Sequence, residues 1–452
     1  MRTWLENRLE ILSTNFWTLP AAMAVAALAL SLSLVSIDMR VTIDFGGPVG
    51  WLNIGSIEGV RTLLATLVGS LVTVLALVFS ITIVALTLAA SQLGPRLLRN
   101  FMRDRSNQGV IGVFTATFLY TLVALLSVGR LEARGVVPHI TVFGAFVLTT
   151  WSVAVLVYFI HHVSESIQAP NVVLAVSREL EGVITRLFPP NDPEAAPEEP
   201  TKPPKDIWSR EAGEACSPRS AYVQAINEGK LVSVAKAHDV VLDVELRPGD
   251  FVAAGQALAS AYGDEPLEED AREAIADAFF LGERRTATQD VEYVLMQLVE
   301  IAVRALSPGI NDPFTAMTCI DRIGSALGLL MSRAERPRRL ADDDGALRVV
   351  LDRTDFDGIM GTGLRQIRQH GSSQAAVLIR MLEVLARLGG TARTDEQRAS
   401  IRKHADAVAR AGEALSEESD RMDIVGRHRA VLAALGDTSE QGVNDTEEGS
   451  GT

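Results

Sequence analysis

Residues 62–95 read TLLATLVGSLVTVLALVFSITIVALTLAASQLGP, 34 residues without one charged side chain. As a continuous helix rising ~1.5 Å per residue, this run would be about 51 Å long. The hydrocarbon core of a bilayer is only ~30 Å thick. The run therefore predicts a membrane span that tilts, kinks or projects beyond the core. It also carries a pattern. Thr66, Ser70, Thr73, Ser80, Thr87 and Ser91 lie at alternating spacings of three and four, with Leu77 and Val84 filling the gaps. That is a seven-residue repeat, which on a helix places the hydroxyls on one face.

Two readings of this stripe stand side by side. Small and hydroxyl residues let membrane helices approach closely, and hydroxyls can bond back to their own helix. Alternatively, the stripe lines a hydrated path between spans or between copies of the chain. No Asp, Glu or Lys lies deep in a span, which argues against a proton relay or an ion-coupled pump.

Three further apolar stretches flank this one: Phe16–Ile37, the segment between Arg105 and Arg130, and Gly135–Val163. The first has Arg2 and Arg8 ahead of it, as a secretory leader would. Its length, its acidic flank and the three spans that come after it favour a retained span. Trp17, Trp51 and Tyr158 fall near expected span ends, where interfacial aromatics belong. The loop between the second and third spans holds Arg96, Arg99, Arg103 and Arg105. By the positive-inside rule this loop is expected in the cytoplasm, and with four spans so are both termini. Arg96, Arg99 and Arg103 share a helical face after Gly94-Pro95, as a lipid-phosphate anchor or as a basic vestibule. His161 and His162 end the fourth span, as interfacial side chains or as a pH-sensing pair. His139 is expected at its start.

Charge divides the chain. Residues 1–163 carry 10 Arg, no Lys and 7 acidic residues, net +3; the rest carries 32 basic and 49 acidic residues, net −17. An acidic soluble region argues against nucleic acid as a partner. The two cysteines, Cys216 and Cys319, build neither a disulfide framework nor a cysteine metal site. No metal and no cofactor is expected.

Residues 189–204, PPNDPEAAPEEPTKPP, read as an extended acidic linker. Leu231–Ala235 and Val240–Leu246 then read as strands, with turns at Pro248-Gly249-Asp250 and Gly255. The stretch VELRPGDFVAAGQALA resembles half of a biotinyl- or lipoyl-type barrel sandwich, without a lysine in a carrier motif. Lys230 and Lys236 are therefore not expected to carry a cofactor. Further on, Glu268–Leu281 reads as a helix. Val291, Val294, Leu295, Leu298, Ile301, Ala302 and Ala305 form the apolar face of the next, which Ser307-Pro308-Gly309 ends. Asn311 or Asp312 caps a new helix with Pro313 at its first position. Leu347–Leu351 reads as a short strand, helices continue to about Leu435, and the acidic tail from Gly436 reads as disordered.

VFSITIVALTLAASQLGPRLLRNFMRD, FIHHVSESIQ and above all RALSPGINDPFTAMTCID resemble the bacterial predicted membrane proteins grouped as domain of unknown function 2254. The resemblance covers nearly the whole chain. It implies a four-span membrane protein with a cytoplasmic C-terminal region, and it implies no activity; the expected location is the bacterial inner membrane.

The expected fold is thus a membrane α-helical domain of four transmembrane helices (1–165), then a juxtamembrane helix and linker (166–218). A small barrel-sandwich-like β module (219–263), a mostly helical domain (264–436) and a tail (437–452) complete a cytoplasmic α+β region. The corner LSPGINDPFTA at 306–316 holds Asn311 and Asp312, with Arg284, Arg285, Gln289 and Asp290 as candidate neighbours. It reads as a capped helix corner. The alternatives are a ligand corner whose Phe314 and Thr315 amides face an anion, or a catalytic site. No nucleophile elbow, HExxH, Walker loop or dinucleotide fingerprint occurs, and His370 and His404 stand isolated.

For function, the stripe on an overlong span leads to a homo-oligomeric channel or channel-like permeation protein with a cytoplasmic regulatory region. Its partners would be membrane lipids, copies of itself and small ions or solutes. The rivals are a membrane-anchored scaffold or sensor without a pore, and an unrecognised membrane enzyme. Four spans enclose little space, so a pore needs several chains around an axis.

Overall fold

The computed structural model describes residues 17–40, 56–93, 105–134, 136–166, 168–191, 201 and 206–436. The chain divides into two compact units, Met1–Val172 and Val173–Thr452.

In the first unit the apolar runs form α1 (Thr18–Asp38), α2 (Ile57–Leu93), α3 (Arg105–Glu132) and α4 (His139–Ser166). A helix is the form that lets such residues enter lipid, because it satisfies every backbone group within the segment. α3 is central and packs against the other three. Its Tyr120 is wholly buried and lies so close to α4 at Gly144 that a Cβ there would strike the phenol oxygen. Hydroxyls tie these helices across their seams. Ser31 donates to the Tyr120 carbonyl at 3.1 Å, Tyr120 to the Thr141 carbonyl at 2.9 Å, and Thr117 shares a 3.0 Å bond with Ser152. Asp38, at the end of α1 and 3% exposed, caps α4: it accepts from the amides of Ile140 and Thr141 and from the Thr141 hydroxyl, at 3.1, 2.9 and 2.6 Å. The outside of the bundle is apolar, with Val25, Ile83, Val84, Trp151 and Val157 exposed. That is the inverse of a water-soluble bundle and offers a surface to lipid.

α5 (Ala169–Leu187) leads into the second unit. A 3-10 turn (Ile207–Ser209) precedes β1 (Glu211–Cys216), β2 (Ala221–Ile226), α6 (Glu228–Ala237), β3 (Val241–Val244), β4 (Phe251–Val252) and β5 (Ala257–Tyr262). Then come α7 (Glu269–Ala276), β6 (Phe279–Gly282), α8 (Val291–Ala305), α9 (Pro313–Met331), β7 (Arg339–Ala341) and β8 (Leu347–Leu351). α10 (Phe356–His370), α11 (Ala375–Gly389), α12 (Asp395–Gly412) and α13 (Glu418–Ala434) complete the order.

The strands form a five-stranded sheet, order β1-β5-β3-β8-β7, and a three-stranded sheet, order β4-β2-β6. All pairings are antiparallel except β3 with β8. β6, β7 and β8 lie beyond residue 263, where the sequence suggested that the β module ends, yet β6 and β8 pair with strands before it. Val349 and Leu351 share one core with Leu242 and Val244. The pieces 211–262 and 339–351 thus bury one apolar face together.

Two segments differ from their sequence reading. Leu231–Ala235 is not a strand but lies within α6. The Asn227 side chain accepts from the Lys230 amide and starts the helix, and Leu231 and Ala235, four apart, are its buried face. A cap and an i, i+4 pair outweighed the β-branched composition. Likewise Glu268–Leu281 is a helix only to Ala276. Phe279–Gly282 pairs with β2, where burial of Phe279 decides the conformation.

Among the described residues, five helices are long and apolar enough to cross a membrane: α1, α2, α3, α4 and α9. α9 packs within the second unit against α8, α10 and α11, and carries Asp321, paired with Arg380 at 2.8 Å and Arg387 at 3.1 Å. The Pro-rich linker, apart from residues 189–191 and 201, and the acidic tail beyond Gly436 lie outside the described residues.

Candidate functional site

The hydroxyl stripe sits on the outer face of α2. Thr66, Ser70, Thr73, Ser80, Thr87 and Ser91 are all exposed, as are Leu77 and Val84 between them. The packed face of α2 is another seven-residue series, Leu64, Leu71, Val78 and Ala85, each at most 4% exposed. It lies against α3 and α4. The same heptad that aligns the hydroxyls thus aligns the buried seam on the opposite side of the helix.

Five of the six hydroxyls donate to their own helix. Thr66 reaches the Thr62 carbonyl at 2.7 Å, Ser70 that of Leu67 at 3.0 Å and Thr73 that of Gly69 at 3.2 Å; Thr87 reaches Ile83 at 2.8 Å and Ser91 reaches Leu88 at 2.9 Å. None of these five bonds joins α2 to another helix. The packing hydroxyls of the unit do the reverse, as Ser31 and Thr117 show.

Of the basic loop, Arg96, Arg99 and Arg103 lie outside the described residues. Arg105 is exposed at the first position of α3. Near the C-terminal end of α4, Tyr158 stacks on His162 with ring centroids 5.6 Å apart and reaches the Ser106 hydroxyl at 3.3 Å. His161 pairs with Glu165 at 3.3 Å. Trp17 is 62% exposed and Tyr158 50%, while Trp51 lies outside the described residues.

The helix corner is built around Asp312. Its carboxylate accepts from the amides of Phe314 and Thr315, both at 3.1 Å, and from the Thr315 hydroxyl at 2.5 Å. Pro313 fills the first turn. Asn311 takes a left-handed φ of 51°, and its side-chain oxygen accepts from Gln374 at 3.3 Å. The amides that an anion would need are therefore already occupied by Asp312. Phe314 is 75% exposed and stands out from the corner.

Arg284 and Arg285 are not brought to this corner. They precede α8, whereas the corner comes after it, and a 15-residue helix separates the two; such a helix is about 22 Å long. Arg284 is exposed and its carbonyl accepts from Gln224. Arg285 is bound to Asp290 by two 2.8 Å contacts, with its guanidinium 5.7 Å from the centre of the Tyr293 ring. Asp290 also caps α8 through the Tyr293 amide. Burial pushes its carboxyl above the usual carboxylate range, against the pull of Arg285. Gly249, at φ 105°, lies directly over this pair, and any side chain there would strike the Asp290 carboxylate.

The sequence reading passed over Asp38, whose signal was its place one residue beyond an apolar run. It also passed over the basic run Arg333-Ala334-Glu335-Arg336-Pro337-Arg338-Arg339, which enters the wall of a cavity in the second unit. Among the described residues, no group of three or more His, Cys, Asp or Glu side chains is arranged to hold a metal ion.

A bundle with an apolar exterior, joined to a charged α+β unit, is the build of an integral membrane protein. The chain belongs to the family described as predicted membrane protein (DUF2254), whose model matches residues 13–387. It is 30% identical over 426 residues to the uncharacterized protein Mb1321c of Mycobacterium bovis, covering 92% of this chain and 80% of that one. The same figures hold for the uncharacterized protein Rv1290c of Mycobacterium tuberculosis. No solved structure matches the chain.

Proposed function

We propose that this protein is a homo-oligomeric permeation protein of the bacterial inner membrane, in which the hydroxyl faces of α2 from several copies line a shared hydrated path. The observation that carries the reading is the outward placement of the stripe. Its hydroxyls are exposed along α2 from Thr66 to Ser91, opposite the seam that packs on α3 and α4. Packing within one chain thus gives no reason for six hydroxyls in register. A face shared with other copies does, because polar side chains gain where water or a polar neighbour meets them. α1 to α4 are the four spans. α9 stays outside the membrane, since its Asp321 would carry a heavy cost in lipid.

The loop with Arg96, Arg99, Arg103 and Arg105 faces the cytoplasm, with both termini and the second unit on the same side. Reporter fusions after Ser166 and inside 96–105 are expected to read cytoplasm, and fusions within 44–55 the opposite side. A cytoplasmic 44–55 segment would overturn this topology.

A second reading, a membrane-anchored scaffold or sensor without a pore, is favoured by one specific observation. Thr66, Ser70, Thr73, Thr87 and Ser91 are already bonded to their own carbonyls. A hydroxyl so satisfied can face lipid at little cost. Cysteine placement separates the two. Under the permeation reading, cysteines at Ser70, Thr73 and Ser80 react with a small water-soluble thiol reagent in membranes, and those at Leu71, Leu75 and Ile81 do not. Leucine at Thr73 or Ser80 lowers ion flux in reconstituted vesicles. Equal protection of both sets, or a stable monomer in mild detergent, decides for the scaffold.

A further inference from the structure

The second unit encloses a cavity where β2 runs into α6, β8 into α10, and α9 into the segment 332–338. Phe188, Val291, Leu330, Leu351, Phe356 and Ile359 give it apolar lining. Five arginines line it as well: Arg247, Arg333, Arg336, Arg338 and Arg353. The first turns of α6, α8 and α10 also reach it, through Glu228, Val291 and Phe356, with amides capped by Asn227, Asp290 and Asp355.

Two of the arginines share one carboxylate. Arg336 bonds one oxygen of Glu228, and Arg353 bonds the other at 2.8 Å while its Nε is held by the Pro337 carbonyl at 2.9 Å. The side chains of Arg336, Arg353 and Glu228 are 18%, 14% and 27% exposed. Two cations thus face one anion in a place largely closed to water, where unbalanced charge is costly. Burial, and next the neighbouring Arg353, push the Arg336 guanidinium below its ordinary value.

Of the other acids of the wall, Glu335 lies on the same segment as Arg333 and Arg336, and four have donors of their own. Glu292 accepts from the hydroxyls of Thr354 and Thr362, both at 2.7 Å; Asp355 takes the Gly358 amide, Asp352 faces Arg247 at 3.5 Å, and Asp290 has Arg285. Among the described residues, neither Arg333 nor Arg338 has a carboxylate within 4.0 Å.

We propose that this cavity binds a small organic anion: a phosphate or carboxylate on an apolar or aromatic body, gripped by Arg336 and Arg353 in competition with Glu228. Planar guanidinium forks match such oxygen pairs in two parallel bonds, which makes arginine the fitting residue here. Arg333 and Arg338 draw the charge in, and Phe188, Leu330 and Phe356 take the body. Glu228 acts as a built-in occupant that keeps the two arginines neutralised when no ligand is present. The segment that bears Arg333 is stitched to the chain just after α5, since the Ala334 amide donates to the Pro189 carbonyl at 3.0 Å. This proposal stands independently of the permeation reading.

The test is calorimetric titration of the full chain in detergent with phenyl phosphate, and with inorganic phosphate and phenol as its two halves. Phenyl phosphate is expected to saturate with a Kd of about 1 mM or tighter. Each half should bind at least about tenfold more weakly, since each gives up one set of contacts. Arg353→Gln should weaken binding about tenfold, the worth of one hydrogen bond to a charged group. Glu228→Gln should strengthen it, because it removes the competitor. These two substitutions break the same ion pair, so a merely structural role would move both in one direction; only the ligand reading gives opposite signs. Should Arg353→Gln fail to fold, Arg333→Gln, which breaks no ion pair among the described residues, carries the same expectation of weaker binding. Arg410→Gln, on the exposed face of α12, should change nothing. Absence of saturable binding to the wild-type chain, or weakening by both Glu228→Gln and the arginine variants, overturns the proposal.

Discussion

On the apolar run of α2 a hydroxyl finds its partner within one turn: Thr66 reaches residue 62, and Thr87 reaches residue 83. In the second unit the partner comes from far along the chain. Arg353 reaches Glu228 across 125 positions, and Arg380 reaches Asp321 across 59. The medium explains the difference. An apolar helix that has to pass through lipid on its way to its place does so most cheaply when its polar groups are satisfied within the helix. A unit in water can leave charges solvated until folding brings them together, and can use them to fix which segments meet. Long-range polar links at Asp38, Tyr120 and Ser152 lie inside the bundle of the first unit and hold it in register, and Arg61 at the start of α2 reaches Glu132 of α3 at 2.6 Å on its surface.

The largest effect should come from Asp290→Ala. It strips the Arg285 guanidinium of its partner, removes the cap of α8 and undermines the turn at Gly249. About 3 kcal/mol of stability should be lost, the lower end for breaking a buried pair, because Arg285 is partly exposed. Urea unfolding of the full chain in detergent measures it. A loss within about 0.5 kcal/mol, the range of an ordinary surface change, would show that this buried pair does not hold the start of α8.

Asp38→Ala tests the opposite side of the comparison. It should cost about 2 kcal/mol, as a buried cap does, while Asp38→Asn should keep most of the stability because asparagine caps nearly as well. Equal loss in both variants would mean that charge rather than capping matters there. Asp312→Ala, a cap on a corner with exposed residues, should cost about 1 kcal/mol. Unchanged stability together with lost function would restore the ligand reading of that corner.

His404 gives a smaller, pH-dependent effect. It is 8% exposed, and its Nε2 lies 3.6 Å from Asp357. Burial pushes its imidazole below the ordinary value of 6.5, with Asp357 pulling the other way and Lys403 and Arg365 adding to the burial effect. The folded state therefore takes up fewer protons than the unfolded chain. Its contribution is complete above pH 6.5 and is lost as the pH falls through the depressed folded value. His404→Gln should flatten the stability curve over that range. A wild-type chain that gains stability on mild acidification would contradict this.

The smallest effect belongs to the stripe. Thr66→Val and Thr87→Val should each change the stability of the bundle by only a few tenths of a kcal/mol, since a surface position away from packing contributes little. A loss above about 1 kcal/mol in detergent, beyond that surface range, would show that these hydroxyls serve a seam, and the outward face would need another partner.

The sequence alone determined those features that depend on local chemistry. An uncharged run of 34 residues must leave water, and its hydroxyls must share a face because the helical period is fixed. Asp312 with Pro313 next to it must begin a helix, because a carboxylate can take the orphan amides and proline lacks one. Tertiary structure decided everything that depends on which surfaces meet. Whether the hydroxyl face of α2 looks inward or outward was open until Leu64, Leu71 and Val78 were seen packed on α3 and α4. α6 needed a neighbour for Leu231 and Ala235 before helix won over strand. β8 joined β3 across more than a hundred residues, and Val349 and Leu351 found there the apolar face they cover. The guanidinium cavity was invisible for the same reason. Glu228, Arg336 and Arg353 are ordinary residues one at a time, and only the fold that removes them from water makes their unequal charge consequential.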